Sequence, residues 1–266
     1  MRMSIVRMMM FTLLLSIAPS FYQDSLAADA VAQTAVKPER LVDIKVAFSA
    51  LSALAECRIK SMFDALSVAA ESQDIQSLDW VRMKPMLAVV QERFGPANVW
   101  FARPDGSYFT VDNGLTDKNL KDRPYFPKVM AGETSVGELV VSRATGGNTV
   151  ITVVPIKKDG KVIGMLGASI YLEKLAQQLK KALPLPAGVV FYALDSKGQI
   201  ALHTQVGLIF QEAAQLGSPS LTAAVKHMLT NRDGVITYEF EGGRQTALFQ
   251  TSALTGWKFA IRFPAE

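Results

Sequence analysis

The chain has 266 residues, 49% of them hydrophobic, and a formal net charge of +4. That apolar content can build a core and excludes bulk disorder, and the length allows one large domain or two modules of about 100 residues. Lys and Arg are scattered without a dense basic run, which argues against a nucleic-acid partner.

Arg2 and Arg7 precede an apolar run from Met8 to Ala18. Small residues then stand at Ser25 and Ala27. This is the layout of a cleavable secretory signal over 1–27, cut near Ala27/Ala28. The run is about half the roughly 20 residues that a spanning helix needs, so a retained anchor is the lesser reading. The expected compartment is the periplasm. Residues 28–38 read as a flexible leader ending at Pro38.

A long helix is expected over 39–72. Leu41, Ile44, Phe48, Leu51, Ala55, Ile59, Met62 and Leu66 recur at spacings of three and four and form one stripe. Cys57, the single cysteine, cannot close an internal disulfide. It is expected to be a small buried residue of this helix. A second helix follows from Leu78 to Phe94 and is closed by Gly95-Pro96.

Strands are then expected over Asn98–Phe101 and Tyr108–Val111, with Arg103-Pro104-Asp105-Gly106 as the turn between them. A polar loop from Asp112 to Asp122 leads into a short helix over Tyr125–Met130. Strands over 137–143, 149–155 and 161–170 and a helix over 171–182 complete this unit, which covers 73–183. Pro184-Leu185-Pro186 marks the boundary. Beyond it, 184–266 repeats the pattern: strands at 189–193 and 199–203, a helix over 220–229, and strands at 234–240, 245–251 and 257–263. The turn glycines Gly106 and Gly198 stand 92 residues apart, 198 less 106. The order strand, strand, helix, three strands occurs twice, so the fold class is α+β with two tandem PAS-like modules. Each is an antiparallel sheet of about five strands flanked by helices, and the long N-terminal helix is their strut.

Chemistry-bearing motifs are few. There is no Gly-x-Ser-x-Gly elbow, phosphate-cradling loop or dinucleotide fingerprint. His203 and His227 lack a third ligand at zinc-like spacing, and Asp112–Asp122 lacks the order of a calcium loop. No enzyme, metal or cofactor is expected.

The stretches VWFARPDGSYF, DRPYFPKVMAGE and VGELVVSRATGGNTVITVVPIKKDGKVIGMLGASIYLEKL resemble the membrane-distal module of double Cache sensor domains. The stretches VVFYALDSKGQIALH and GVITYEFEGGRQTALFQTSALTGWKFAIRF resemble the membrane-proximal module. The resemblance implies a small-molecule pocket in the first module, between the sheet and the loop-helix segment. Its Arg-aromatic feature appears as Arg123-Pro124-Tyr125-Phe126. Where the amino-acid-binding subgroup carries an Asp on the last strand, this chain has Ser169.

Arg123 is the leading ligand contact, because a guanidinium fork matches a carboxylate or phosphate. Its alternative is an internal ion pair with Asp122 or Asp117. Tyr125 and Phe126 are candidates for an apolar wall, one of the two facing the ligand. Trp100, Tyr108 and Thr110 alternate on the first hairpin and could form the sheet side. Ser142 and Ser169 could add hydroxyls. Trp257 reads as structural.

The reading is an exported, non-enzymatic sensor of a small molecule, and Arg123 points to an anionic one in the first module. The chain stops at Glu266 without a signalling domain, so it is expected to act through a membrane-bound sensor kinase or chemoreceptor and could dimerise through the long helix. Two other readings stay open: a ligand-free interaction scaffold for such a partner, and an exported hydrolase.

Overall fold

The computed structural model describes residues 43–265. The signal segment, the leader and the expected first turn of the strut lie outside them. Asp43 has an extended backbone and its carboxylate accepts the Lys45 amide at 2.7 Å. That N-cap starts α1 at Ile44, and the helix runs to Ala70. Phe48, Leu51, Ala55, Ile59, Met62 and Leu66 are all buried, as their spacing requires. Cys57 is exposed, against expectation. It lies two positions from both Ala55 and Ile59, roughly 200° around a helix from each, and so points away from the stripe they form.

Ser72 caps a single turn, α2 (Gln73–Gln76), and Asp79 caps α3 (Trp80–Phe94). The first sheet contains β1 (Ala97–Ala102), β2 (Ser107–Thr110), β3 (Gly114–Asn119), β4 (Ser135–Val141), β5 (Asn148–Lys158) and β6 (Lys161–Tyr171). α4 (Tyr125–Met130) lies between β3 and β4, and α5 (Leu172–Ala182) follows β6. The strand order is β3-β2-β1-β6-β5-β4, each neighbouring pair antiparallel. β3 falls inside the expected polar loop. It is an edge strand, largely exposed and without apolar alternation, held by backbone pairing to β2 through a bulge.

The second sheet contains β7 (Val190–Leu194), β8 (Ile200–His203), β9 (Asp233–Phe240), β10 (Gly243–Thr251) and β11 (Lys258–Pro264), in the order β8-β7-β11-β10-β9. Two 3-10 turns, Val206–Leu208 and Ala213–Gln215, and α6 (Pro219–Thr230) fill its long connection. Without β3, the first sheet has the same order, so the repeat is topological. The two opening hairpins match as well. The Arg103 amide donates to Ser107 O at 2.9 Å and the Asp195 amide donates to Gln199 O at 2.8 Å. Gly106 and Gly198 turn at φ 85° and 89°.

Strand alternation divides the side chains. Val99, Phe101, Val154 and Leu166 join Phe191, Phe259 and Ile261 of the second sheet in one core with α1, α3 and α5. The opposite face of the first sheet carries Trp100, Tyr108, Ile151 and Met165 under Tyr125 and Phe126 of α4. The opposite face of the second sheet packs on Leu221, Val225 and Met228 of α6.

Candidate functional site

The far face of the first sheet is where polar groups converge. β1 presents Asn98 and Trp100 there, two residues apart and so on one side of the strand. β2 presents Tyr108 and Thr110, paired with Ala102 and Trp100 respectively. β6 presents Ser169, directly opposite Asn98. Trp100 also pairs with Gly167, where a methyl group would overlap the indole. Gly167 therefore lets the ring lie flat against the sheet. The indole Nε1 then donates to Ser169 Oγ at 3.1 Å.

α4 and the turn after β4 supply the other wall. Tyr125 is fully buried, its ring centre 6.1 Å from that of Trp100. Loss of solvent pushes its phenol ionisation well above the ordinary value. Phe126, the next residue, is buried in the apolar layer beneath α4 but does not line the cavity. Arg123 precedes the helix. Its Nη2 donates to Val141 O at 2.7 Å. The acids considered as its partners are engaged elsewhere. Asp122 forms a two-pronged pair with Arg143 at 2.6 and 2.7 Å, and Asp117 pairs with Lys118 at 3.1 Å. Arg143 also donates to Asn119 O. Its hydrogen bonds hold the Asp122 carboxyl below the usual carboxylate range. Among the described residues no carboxylate pairs with Arg123.

The structure therefore brings seven of the eight candidates around one small cavity: Trp100, Tyr108, Thr110, Arg123, Tyr125, Ser142 and Ser169. Phe126 is left out. Asn98 and Arg143 were not singled out in the sequence, yet both line it. Asn98 was legible, since it precedes Trp100 by two in a strand. Arg143 was not, since it reaches the cavity only because β4 ends at Val141. The space measures about 20 Å³, enough for one water. Around it the buried Asn98 Oδ1 and Nδ2, Tyr108 Oη and Arg123 Nε have no hydrogen-bond partner. Buried polar atoms are nearly always paired, so this concentration marks a place built to receive polar groups.

No family model matches the sequence, and no curated protein matches it. Solved structures do match. The sensory domain of the Campylobacter jejuni chemoreceptor Tlp3, with isoleucine bound, superposes with a TM-score of 0.61 at 18% identity, over 83% of this chain and 89% of that one. The sensor domain of the Vibrio cholerae histidine kinase DctB gives 0.64 at 12% identity, over 84% and 96%. The ligand-binding domain of the Pseudomonas aeruginosa amino acid chemoreceptor PctB, in complex with L-Gln, gives 0.61 at 14%, over 83% and 87%.

The chain has the fold of a double Cache sensor domain.

Within that fold the second module carries a counterpart of the first cavity. Tyr192 on β7 faces Ala260, as Trp100 faces Gly167, and Arg262 faces Val190, as Ser169 faces Asn98. The space there is about 40 Å³ and is more apolar, with Leu194, Ile200 and Leu221 in its wall. Arg262 is already engaged by Gln245 Oε1 at 3.1 Å and Glu241 at 3.5 Å. None of the unpaired buried atoms lies there. The first-module cavity is the candidate site.

Proposed function

We propose that the protein is an exported, non-enzymatic sensor domain whose first module binds a small anionic molecule. The observation that carries this is the set of unpaired buried atoms of Asn98, Tyr108 and Arg123 around one cavity. A carboxylate or similar oxyanion satisfies Arg123 Nε and Tyr108 Oη, and a hydroxyl or amide on the same molecule satisfies both ends of Asn98. The cavity wall contains no acid, so an ammonium group has no counter-charge there. This favours hydroxy- or amide-bearing carboxylates over α-amino acids, in contrast to the isoleucine and L-Gln bound by Tlp3 and PctB. A scaffold without a ligand would gain nothing from keeping these polar atoms buried and unpaired.

The sequence layout and the neighbours' sensory roles support further parts of this reading. The modules divide at Pro184–Pro186. The signal over 1–27 directs the protein to the periplasm, and no described helix is long and apolar enough to cross a membrane. The ligand state passes to a membrane-bound kinase or chemoreceptor, with α1 available for dimer formation.

The test is a thermal-shift screen of the chain from Ala28 to Glu266 against carboxylates, amino acids, amines, purines and phosphorylated compounds, followed by calorimetry of the hits. A ligand of the native state at a hundredfold excess over Kd adds about 2.7 kcal/mol of stability. Carboxylates without an ammonium group should raise the melting point, and Arg123→Ala should abolish the shift. A response confined to amines, or to no compound, overturns the proposal.

A further inference from the structure

A further cavity, of about 220 Å³, lies on the face of the second sheet turned away from α6, where α1, α5 and the α5–β7 linker meet. Its body is apolar. Leu51 comes from α1, Ala176 and Leu179 from α5, Leu185 from the linker, and Phe191 and Leu202 from the sheet. The pocket opens to solvent beside the exposed Lys180 and Gln205, and its volume compares with the roughly 150 Å³ apolar cavity that is enough to take up benzene.

The cavity is not uniformly apolar. Lys180, one turn beyond Ala176 on α5, stands in its wall, and no carboxylate pairs with it among the described residues. His203 borders it too, but its ring lies beside Tyr192, its ladder partner, and also lines the α6-side cavity, so Lys180 alone supplies the charge. The His203 Nδ1 accepts the Gln205 amide at 3.0 Å, so in the neutral ring the hydrogen sits on Nε2. The wall contains no acid. An apolar pocket edged by one exposed ammonium suits a molecule with a compact hydrophobic body and a single negative head.

We propose that this cavity is a second ligand site, separate from the first-module pocket, that takes a small monocarboxylic acid with a one-ring or short branched apolar body. The volume sets the body and Lys180 sets the head. The place is mechanically relevant, because such a molecule would touch α1, α5 and the second sheet together, the elements that tie the two modules to one core.

Three probes with the same body and different heads test it: phenylacetate, 2-phenylethanol and phenethylamine, titrated calorimetrically into the chain from Ala28 to Glu266. Phenylacetate should bind at least tenfold more tightly than phenethylamine. Lys180→Met should bring phenylacetate down to the level of 2-phenylethanol. Ala176→Leu, which fills space in the wall, should weaken all three at least tenfold. Leu185→Trp on the half-exposed linker gives the same test should Ala176→Leu fail to fold. Arg123→Ala should change none of these affinities, which separates this site from the first-module pocket whether or not that pocket proves to bind an anion. Absence of binding by all three probes overturns the proposal. So does phenylacetate binding that survives Ala176→Leu and Leu185→Trp, or that is lost in Arg123→Ala.

Discussion

Trp257 donates its buried indole N–H to the backbone carbonyl of Gly137 at 2.8 Å, across 120 residues of sequence. The donor immediately precedes β11, the last strand of the second module, and the acceptor lies in β4 of the first. Gly137 has φ +97°, and a Cβ there would meet Thr255 O at 2.8 Å, so only glycine lets the two segments approach this closely. Four residues further along β4, Val141 O accepts from Arg123. One strand thus connects the candidate ligand contact to the second module. Trp257→Phe keeps an aromatic ring but orphans the Gly137 carbonyl and removes volume. It should cost about 2–4 kcal/mol in denaturant unfolding. Gly137→Ala should cost a similar amount through strain. Loss of less than about 0.5 kcal/mol in both would show that the joint is not structural.

The unpaired atoms predict an inverse relation between stability and binding. Tyr108→Phe removes a buried hydroxyl that has no partner in the unliganded protein. It should therefore raise stability by about 1 kcal/mol while weakening the first-module ligand at least tenfold. The same sign is expected for Asn98→Leu, which removes two unpaired atoms. Unfolding midpoints and calorimetry on the same samples check both halves. A destabilised Tyr108→Phe would mean that the hydroxyl is satisfied in solution.

Much of this was legible in the sequence because the signals were local. Pro104-Asp105-Gly106 and Ser196-Lys197-Gly198 mark the two equivalent turns, and alternation on the hairpin placed Trp100, Tyr108 and Thr110 on one face. Carried one step back along β1, the same alternation reaches Asn98. What was hidden depends on register or on the ends of elements. Gly167 has meaning only once β6 pairs with β1. β3 has no side-chain pattern because an exposed edge strand needs none. Cys57 looked internal from its apolar neighbours, although the helical angle puts it outside. Asp122 pairs with Arg143, 21 residues away, rather than with its neighbour Arg123, which only three-dimensional placement decides.

That pair joins the segment before α4 to the β4–β5 turn, and Arg143 lines the cavity. Asp122 is 69% exposed in its side chain, so the pair contributes little to global stability. Its effect should be kinetic. Since the cavity holds only about one water as it stands, a ligand of the proposed site should enter by parting the segments that Asp122 and Arg143 hold together. Asp122→Asn should leave the unfolding midpoint nearly unchanged and speed ligand association and dissociation several-fold in stopped-flow measurements. Unchanged rates would place the entrance elsewhere.

His203 predicts a pH dependence of stability. Burial, reinforced by the positive charge of Arg262, lowers its pKa from 6.5 to about 4, against a smaller opposing effect of the Gln205 amide. Tyr192 packs beside the ring at 6.1 Å. The unfolded chain therefore takes up a proton near pH 6.5 that the folded chain refuses until about pH 4. Between those values the unfolded state binds more protons, so stability is full above pH 6.5 and declines as the pH falls toward 4. The whole shift corresponds to about 3 kcal/mol as an order of magnitude. In His203→Gln this component should vanish, leaving a shallower fall of the melting temperature between pH 7 and 4 than in the wild type. Parallel profiles for the two proteins would show that His203 titrates normally in the folded state.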